Sequence, residues 1–198
     1  MKRIATLAAA AFLLAAPAAA KSWTVDPGYS RLGFEVQAAG TTITGKFLDW
    51  SATIDFDPAA LDTAHASVSI DLTRVETGDV KRDGFVSGPT WLNATGGSGQ
   101  SYAASDPSNP AIGRFETTAF RQTGTATYEA DGTLTLRGST QPVTLPFTLE
   151  ISGDTAHMTA RLGLDRTRWG IGGGDYPDGK TVATNVDVVI DLMAKAQP

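Results

Sequence analysis

The sequence predicts an all-β protein made of antiparallel strands. Through most of the chain apolar residues alternate with polar ones, and a period of two is typical of strands that bury a single face. Turn-forming pairs separate these stretches at Asp57-Pro58, Asp131-Gly132, Gly153-Asp154 and Asp178-Gly179. The 198 residues include 21 Gly and 10 Pro in a chain that is 41% apolar, which favours many short elements joined by turns.

Each predicted strand has one apolar face and one polar face. In chain order the alternating apolar positions are Leu32, Phe34 and Val36; Val68, Ile70 and Leu72; Leu134 and Leu136; Val143, Leu145, Phe147, Leu149 and Ile151; Met158, Ala160, Leu162 and Leu164; and Val186, Val188, Ile190 and Leu192. Shorter apolar stretches at residues 43–47, 53–56 and 115–120 bring the total to about eight to ten strands. Such strands can close into a barrel or stack as a sandwich, because both arrangements bury the apolar faces.

Two stretches interrupt the alternation. Residues 76–93 show little periodicity, so we expect a short helix or a structured loop over one end of the sheet. Residues 94–109 are rich in Gly and Ser, which predicts a mobile excursion. Long insertions of this kind in compact domains tend to be functional rims or dispensable tips.

The charge balance excludes several classes of protein. There are 21 acidic and 16 basic residues, and a net charge of -5 does not suit binding to nucleic acid. The absence of Cys excludes disulfides and thiolate metal sites. Charges on the polar faces at Glu35, Asp71 and Arg161 would be costly against lipid, so a membrane-spanning barrel is disfavoured. A stable fold must therefore come from an apolar core.

The N-terminal segment resembles a secretory signal. Lys2 and Arg3 precede an uncharged run at residues 4–16, and the segment closes on Ala18-Ala19-Ala20. The run is shorter than the roughly 20 residues of a membrane-spanning helix. We therefore expect cleavage after Ala20, with residues 21–198 forming a single domain that is exported to the periplasm and has no transmembrane segment.

No catalytic or metal-binding motif emerges from the residues. His65 and His157 have no partner ligand at the spacing of a metal site, and Ser98 lacks the context of a nucleophile elbow. The acidic pair Asp175 and Asp178 lies next to Gly and Pro, where acidic residues usually form turns. We expect no enzyme activity and no cofactor or metal. An enzyme acting on a hydrophobic substrate and a filled barrel serving as an interaction module are the alternatives.

An ordered series of motifs resembles the YceI-like family of exported bacterial lipid-binding proteins. The motifs are Trp23-Thr24-Val25-Asp26-Pro27 followed by Ser30 and Phe34; Gly45-Lys46-Phe47; Asp55-Phe56-Asp57-Pro58; Thr77-Gly78 with Arg82-Asp83; Leu134-Thr135-Leu136-Arg137-Gly138 with Pro142-Val143-Thr144-Leu145; and Arg166 ahead of Trp169-Gly170-Ile171-Gly172. The resemblance implies an extended, lipocalin-like antiparallel barrel of eight strands with a short helical segment near one end. It also implies a binding or carrier function for a long isoprenoid-type lipid, such as a polyprenyl or quinone-like molecule, in an apolar cavity.

The predicted ligand-binding residues combine the inner faces of the strands with the opening of the barrel. They are Phe34, Val36, Phe47, Val68, Ile70, Leu72, Arg82, Asp83, Leu134, Leu136, Phe147, Arg166 and Trp169. Arg82 and Asp83 form the best-placed polar cluster for a headgroup, and a surface ion pair on a short helix is the alternative for them. Arg168-Trp169 stands where the family more often has an acidic residue and Phe, so we expect altered chemistry at the mouth.

Overall fold

The computed structural model describes residues 20–94 and 109–198. Its strands are β1 (Ser22–Val25), β2 (Arg31–Ala38), β3 (Thr41–Phe47), β4 (Trp50–Asp55), β5 (His65–Asp71), β6 (Val75–Glu76), β7 (Ile112–Gln122), β8 (Thr127–Leu136), β9 (Ser139–Ser152), β10 (Thr155–Asp165) and β11 (Val182–Ala196). The helix α1 spans Val80–Ser87, and short 3-10 helices occupy Pro27–Tyr29, Leu61–Thr63 and Arg166–Trp169. The signal expected at residues 1–20 and the insertion at 94–109 lie almost wholly outside the described residues.

The strands form one closed antiparallel barrel with eight strand positions. Three of these positions are each occupied by two shorter strands that follow each other in the chain, namely β1 with β2, β3 with β4, and β5 with β6. The other five are β7 to β11, each paired with its neighbour in sequence. Strand β11 closes the ring because it pairs with both β1 and β2. The prediction of an eight-stranded antiparallel barrel with one short helix is confirmed, and the sandwich alternative is wrong.

Because the first two strand positions are divided, the strands there pair over unequal lengths. Strand β1 pairs with β4 only through Ser22–Asp55 and Trp23–Ile54, whereas β2 pairs with β3 over six positions. The 3-10 turn at Pro27–Tyr29 separates β1 from β2, and the Asp26 side chain caps it by accepting the Gly28 N–H at 3.0 Å. The barrel therefore remains closed by the pairing of β11 with β1 and β2, even where β1 and β4 pair over only two positions.

One predicted turn lies inside a strand. Asp131 and Gly132 belong to β8, where they pair with Thr144 and Val143 of β9. A bulge in β7 between Thr117 and Ala119 faces them, and a Cβ on Gly132 would lie 2.8 Å from the Phe115 ring. Glycine is required there for close approach of the neighbouring strand rather than for a reversal of the chain.

The interior contains two apolar clusters, one at each end of the barrel. The floor cluster consists of Trp23, Phe56, Tyr128, Ala130, Leu145, Phe147, Ala156, Ala160 and Ala194. The helix-end cluster consists of Leu32, Ile70, Leu72, Trp91, Leu92, Ala94, Leu134, Leu164, Trp169 and Ile171. In the floor cluster the Phe56 ring makes edge-to-face contacts with Tyr128 at 5.4 Å and Phe147 at 6.0 Å. These contacts close one end of the barrel with aromatic side chains.

The helix α1 covers the other end. Asp79 caps its N-terminus by accepting the N–H groups of Lys81 and Arg82, which holds the pKa of Asp79 below its usual range. The helix ends at Ser87 with Gly88 as its C-cap, and Val86 packs against the helix-end cluster. The segment 76–93, predicted to hold a short helix or a structured loop, contains the helix α1 with turns after it. None of the helices in the described part of the chain has the length and apolar character needed to cross a bilayer.

Candidate ligand-binding cavity

The barrel encloses an elongated cavity of about 400 Å³. Its walls include Trp23, Phe56 and Ala194 at the floor, and Trp91 and Trp169 at the helix end. Strand β11 alone contributes lining side chains from Val182 to Ala194. That stretch is about 40 Å of strand at about 3.3 Å per residue, and a tilt of about 40° projects it onto about 30 Å along the barrel axis.

The wall of the cavity is almost entirely carbon. Among its described residues, the only charged side chains are Arg82 and Arg166, and no carboxylate is present. Thr117 also lines the cavity, but its hydroxyl donates to Ala66 O at 3.1 Å and accepts from Ala66 N at 2.8 Å. A cavity of this kind suits a long apolar molecule with at most one polar end.

The structure brings the predicted ligand-binding residues together with one exception. The predicted residues that line the cavity are Phe34, Val36, Phe47, Val68, Ile70, Leu72, Arg82, Leu134, Leu136, Phe147, Arg166 and Trp169. Asp83 does not line it. The interaction-module alternative required a barrel filled by its own side chains. The cavity shows that this barrel is not filled in that way.

Arg82 and Asp83 both bind the turn before the helix. The Arg82 guanidinium donates to Thr77 Oγ1 and to Thr77 O, each at 2.9 Å. Asp83 Oδ1 accepts from the Thr77 N–H at 2.7 Å and from its hydroxyl at 2.5 Å. Each side chain is therefore bonded to Thr77, which fixes the start of α1 and leaves Arg82 at the cavity wall.

Arg166 is a buried cation at the helix end of the cavity. Only 2% of its surface is exposed, and its guanidinium donates to four backbone carbonyls, those of Ala183, Ile171, Tyr176 and Val182. Burial lowers the pKa of Arg166 below its usual range, although the charge of Asp165 acts in the opposite direction. The four bonds tie the turn after β10 to the start of β11.

Sequence reasoning missed most of the aromatic residues at the two ends. Phe85, Trp91 and Tyr176 form a cluster beside Arg166, with the Phe85 and Trp91 rings 5.5 Å apart. At the floor it missed Trp23 and Phe56. Strand alternation marks Trp23 and Phe56 only weakly, because Trp23 lies in a strand of four residues and Phe56 directly follows β4. The helix-end residues lie outside any strand. The available signal was the apolar character of Trp91-Leu92 in an otherwise polar segment.

The sequence of this barrel matches that of a known protein family. Residues 23–194 match the model of the YceI-like domain. The chain belongs to the YceI-like family. It is also 28% identical over 170 residues to a UPF0312 protein of Pseudomonas savastanoi pv. phaseolicola, an alignment that covers 84% of this chain and 82% of the relative.

Solved structures of similar proteins have the same fold. BcnA of Burkholderia cenocepacia superimposes with a TM-score of 0.75 at 26% identity, covering 85% of this chain and 98% of BcnA. A polyisoprenoid binding domain from Saccharophagus degradans, implicated in plant cell wall breakdown, superimposes with a TM-score of 0.66 at 16% identity, covering 89% of this chain and 99% of that domain. The YceI-like family membership and the lipocalin-like barrel are therefore established together.

Proposed function

We propose that this protein binds and carries a long-chain isoprenoid-type lipid in the bacterial periplasm. The observation that carries the proposal is the cavity, which runs from the floor cluster to α1 behind walls that are nearly all carbon. The YceI-like family and the solved polyisoprenoid binding domain support the same ligand class. The N-terminal charges and the apolar run before Ala18-Ala19-Ala20 support export.

The energetics favour a long tail over specific contacts. Each buried CH₂ contributes about 0.8 kcal/mol, so a five-carbon isoprene unit contributes about 4 kcal/mol before the cost of ordering it. Affinity therefore rises with tail length until the tail reaches the floor cluster. A carrier needs no reactive group along this path, and we propose that the protein holds its ligand without transforming it.

Mass spectrometry of organic extracts tests the ligand. The full chain, expressed with its leader and purified gently from the periplasm, should release an isoprenoid-type lipid on extraction. The variant Ala130→Phe, which places a ring in the floor cluster, serves as the matched control and should release less of it. Recovery of equal amounts from both proteins, or of no lipid from either, would contradict a long cavity-bound lipid whose tail reaches the floor cluster.

N-terminal sequencing of the exported protein tests the location. We expect the mature chain to begin at Lys21, because Ala18 and Ala20 supply the small residues that cleavage requires. A chain that keeps Met1 and remains in the cytoplasm would refute the periplasmic part of the proposal.

A further inference from the structure

Three buried tryptophans line the cavity, and their indole N–H groups differ in one respect. Trp23 Nε1 donates to Phe56 O at 2.8 Å, and Trp169 Nε1 donates to Leu134 O at 3.1 Å. Trp91 is buried to the same degree, yet its Nε1 has no hydrogen-bond partner among the described residues. A buried donor without an acceptor is costly, and native proteins usually supply a partner for it.

The charged group that packs against Trp91 is a cation, which supplies further donors. The Arg166 guanidinium lies over the indole ring, 5.3 Å from its centroid, and its N–H groups are directed at backbone carbonyls. Arg82 is the other charged lining residue of the cavity, and it too is a cation. The rings of Phe85 and Tyr176 complete the enclosure, with centroids 5.5 Å and 6.2 Å from that of Trp91.

We propose that Trp91 Nε1 donates a hydrogen bond to an oxygen on the polar end of the bound lipid, which rests on the proposed carrier function. The recognised chemistry is an acceptor oxygen, such as a ketone, a quinone carbonyl or a carboxylate, beside the Arg166 guanidinium. The head of the lipid lies at the helix end and the tail extends towards the floor cluster. A cationic head, which would meet the like charge of Arg166, is rejected.

Among the described residues, the opposite end of the cavity offers no such site. Trp23 is the tryptophan of the floor cluster, and its N–H is already bonded to Phe56 O. No charged side chain belongs to the floor cluster. Trp23 therefore provides a matched control, since it is a buried lining tryptophan whose donor is satisfied within the protein.

Titration with ligands that share one tail tests the proposal. The wild-type chain, Trp91→Phe and Trp23→Phe receive a ketone, a carboxylic acid, a primary amine and a headless hydrocarbon, all with a geranylgeranyl tail. The wild type should bind the ketone and the acid about two- to tenfold more tightly than the hydrocarbon, which is what one hydrogen bond supplies. Trp91→Phe should bind the ketone and the hydrocarbon equally, and Trp23→Phe should keep the wild-type preference.

The outcomes separate this proposal from the carrier function. Hydrocarbon binding without any preference for the ketone or acid overturns the head site alone, as does a ketone preference that survives in Trp91→Phe. Failure to bind all four ligands overturns both. A larger gain for the acid than for the ketone supports an anionic head, and equal gains support a neutral carbonyl.

A second measurement uses the unmodified chain and does not depend on the folding of a variant. The protein has four tryptophans, so a spectrum of the chain with ¹⁵N-labelled indoles should show four N–H signals. The Trp91 signal should move downfield when the ketone is added and should respond less to the hydrocarbon. The Trp23 and Trp169 signals should respond alike to both ligands. A Trp91 signal that does not distinguish the two ligands refutes the hydrogen bond.

Discussion

Replacing Ile70 by aspartate tests whether the inner face of the barrel must stay apolar. Ile70 lies in β5 within the helix-end cluster, is 8% exposed and lines the cavity. Loss of its buried side chain costs about 1.5–3 kcal/mol. A carboxylate in this carbon-lined space adds several kcal/mol more, because a charge that leaves water is costly. The sum is a large share of the roughly 5–15 kcal/mol that keeps a domain folded.

The neighbouring residue provides the control. Ser69 lies one position earlier in β5 with its side chain on the exposed outer face, opposite Arg114 of β7. Ser69→Asp introduces the same carboxylate into the same strand and should change stability by about 0.5 kcal/mol or less. Urea unfolding of both variants measures the difference, and a lipid titration shows whether Ile70→Asp also loses its ligand. Equal loss of stability in the two variants would refute the assignment of the faces.

Three further predictions concern the floor, the mouth and the outer surface. Ala130→Phe should weaken the binding of the longest tails by up to about 4 kcal/mol, the contribution of one isoprene unit, and leave short tails unaffected in a tail-length series. Arg82→Ala should weaken a lipid with a carboxylate head by about 0.5–1.5 kcal/mol but not a ketone or a headless one, with thermal unfolding as the control for its bonds to Thr77. Hydrogen bonds from Thr144 and Asn185, in turn, hold the pKa values of Asp131 and Asp187 below their usual range. Because their ionised forms are favoured in the folded state, this stabilisation is present at neutral pH and is lost below about pH 4, so the melting temperature should fall there.

The barrel could be predicted from the sequence because strand burial is encoded locally. Leu32, Phe34 and Val36 face inwards at every second position, and the same pattern recurs in β5, β9, β10 and β11. The division of three of the eight strand positions into pairs of shorter strands could not be predicted. It depends on the register between segments far apart in the chain, such as the pairing of Trp23 with both Ile54 and Ala196.

The chemistry at the ends of the cavity could be predicted only in part. The inner-face positions followed from alternation, and Arg82, Arg166 and Trp169 came from the family resemblance. The burial of Arg166 depends on carbonyls of Val182 and Ala183, which reach it only when β11 closes the barrel. The missing partner of the Trp91 N–H is likewise a property of the folded enclosure, since a sequence does not show which donors remain unbonded.

The two ends of the cavity together determine the direction in which a lipid with one polar end enters. A polar head at the floor would lie among Tyr128, Phe147 and other aromatic or small apolar side chains, and leaving it without a hydrogen bond there costs about 2–7 kcal/mol. The same reversed lipid would place its tail against Arg166 and leave the Trp91 N–H without an acceptor. Both penalties favour the head at α1 and the tail at the floor. Because the tail then occupies a space whose length is set by the barrel, the floor limits tail length while the residues around Trp91 select the head.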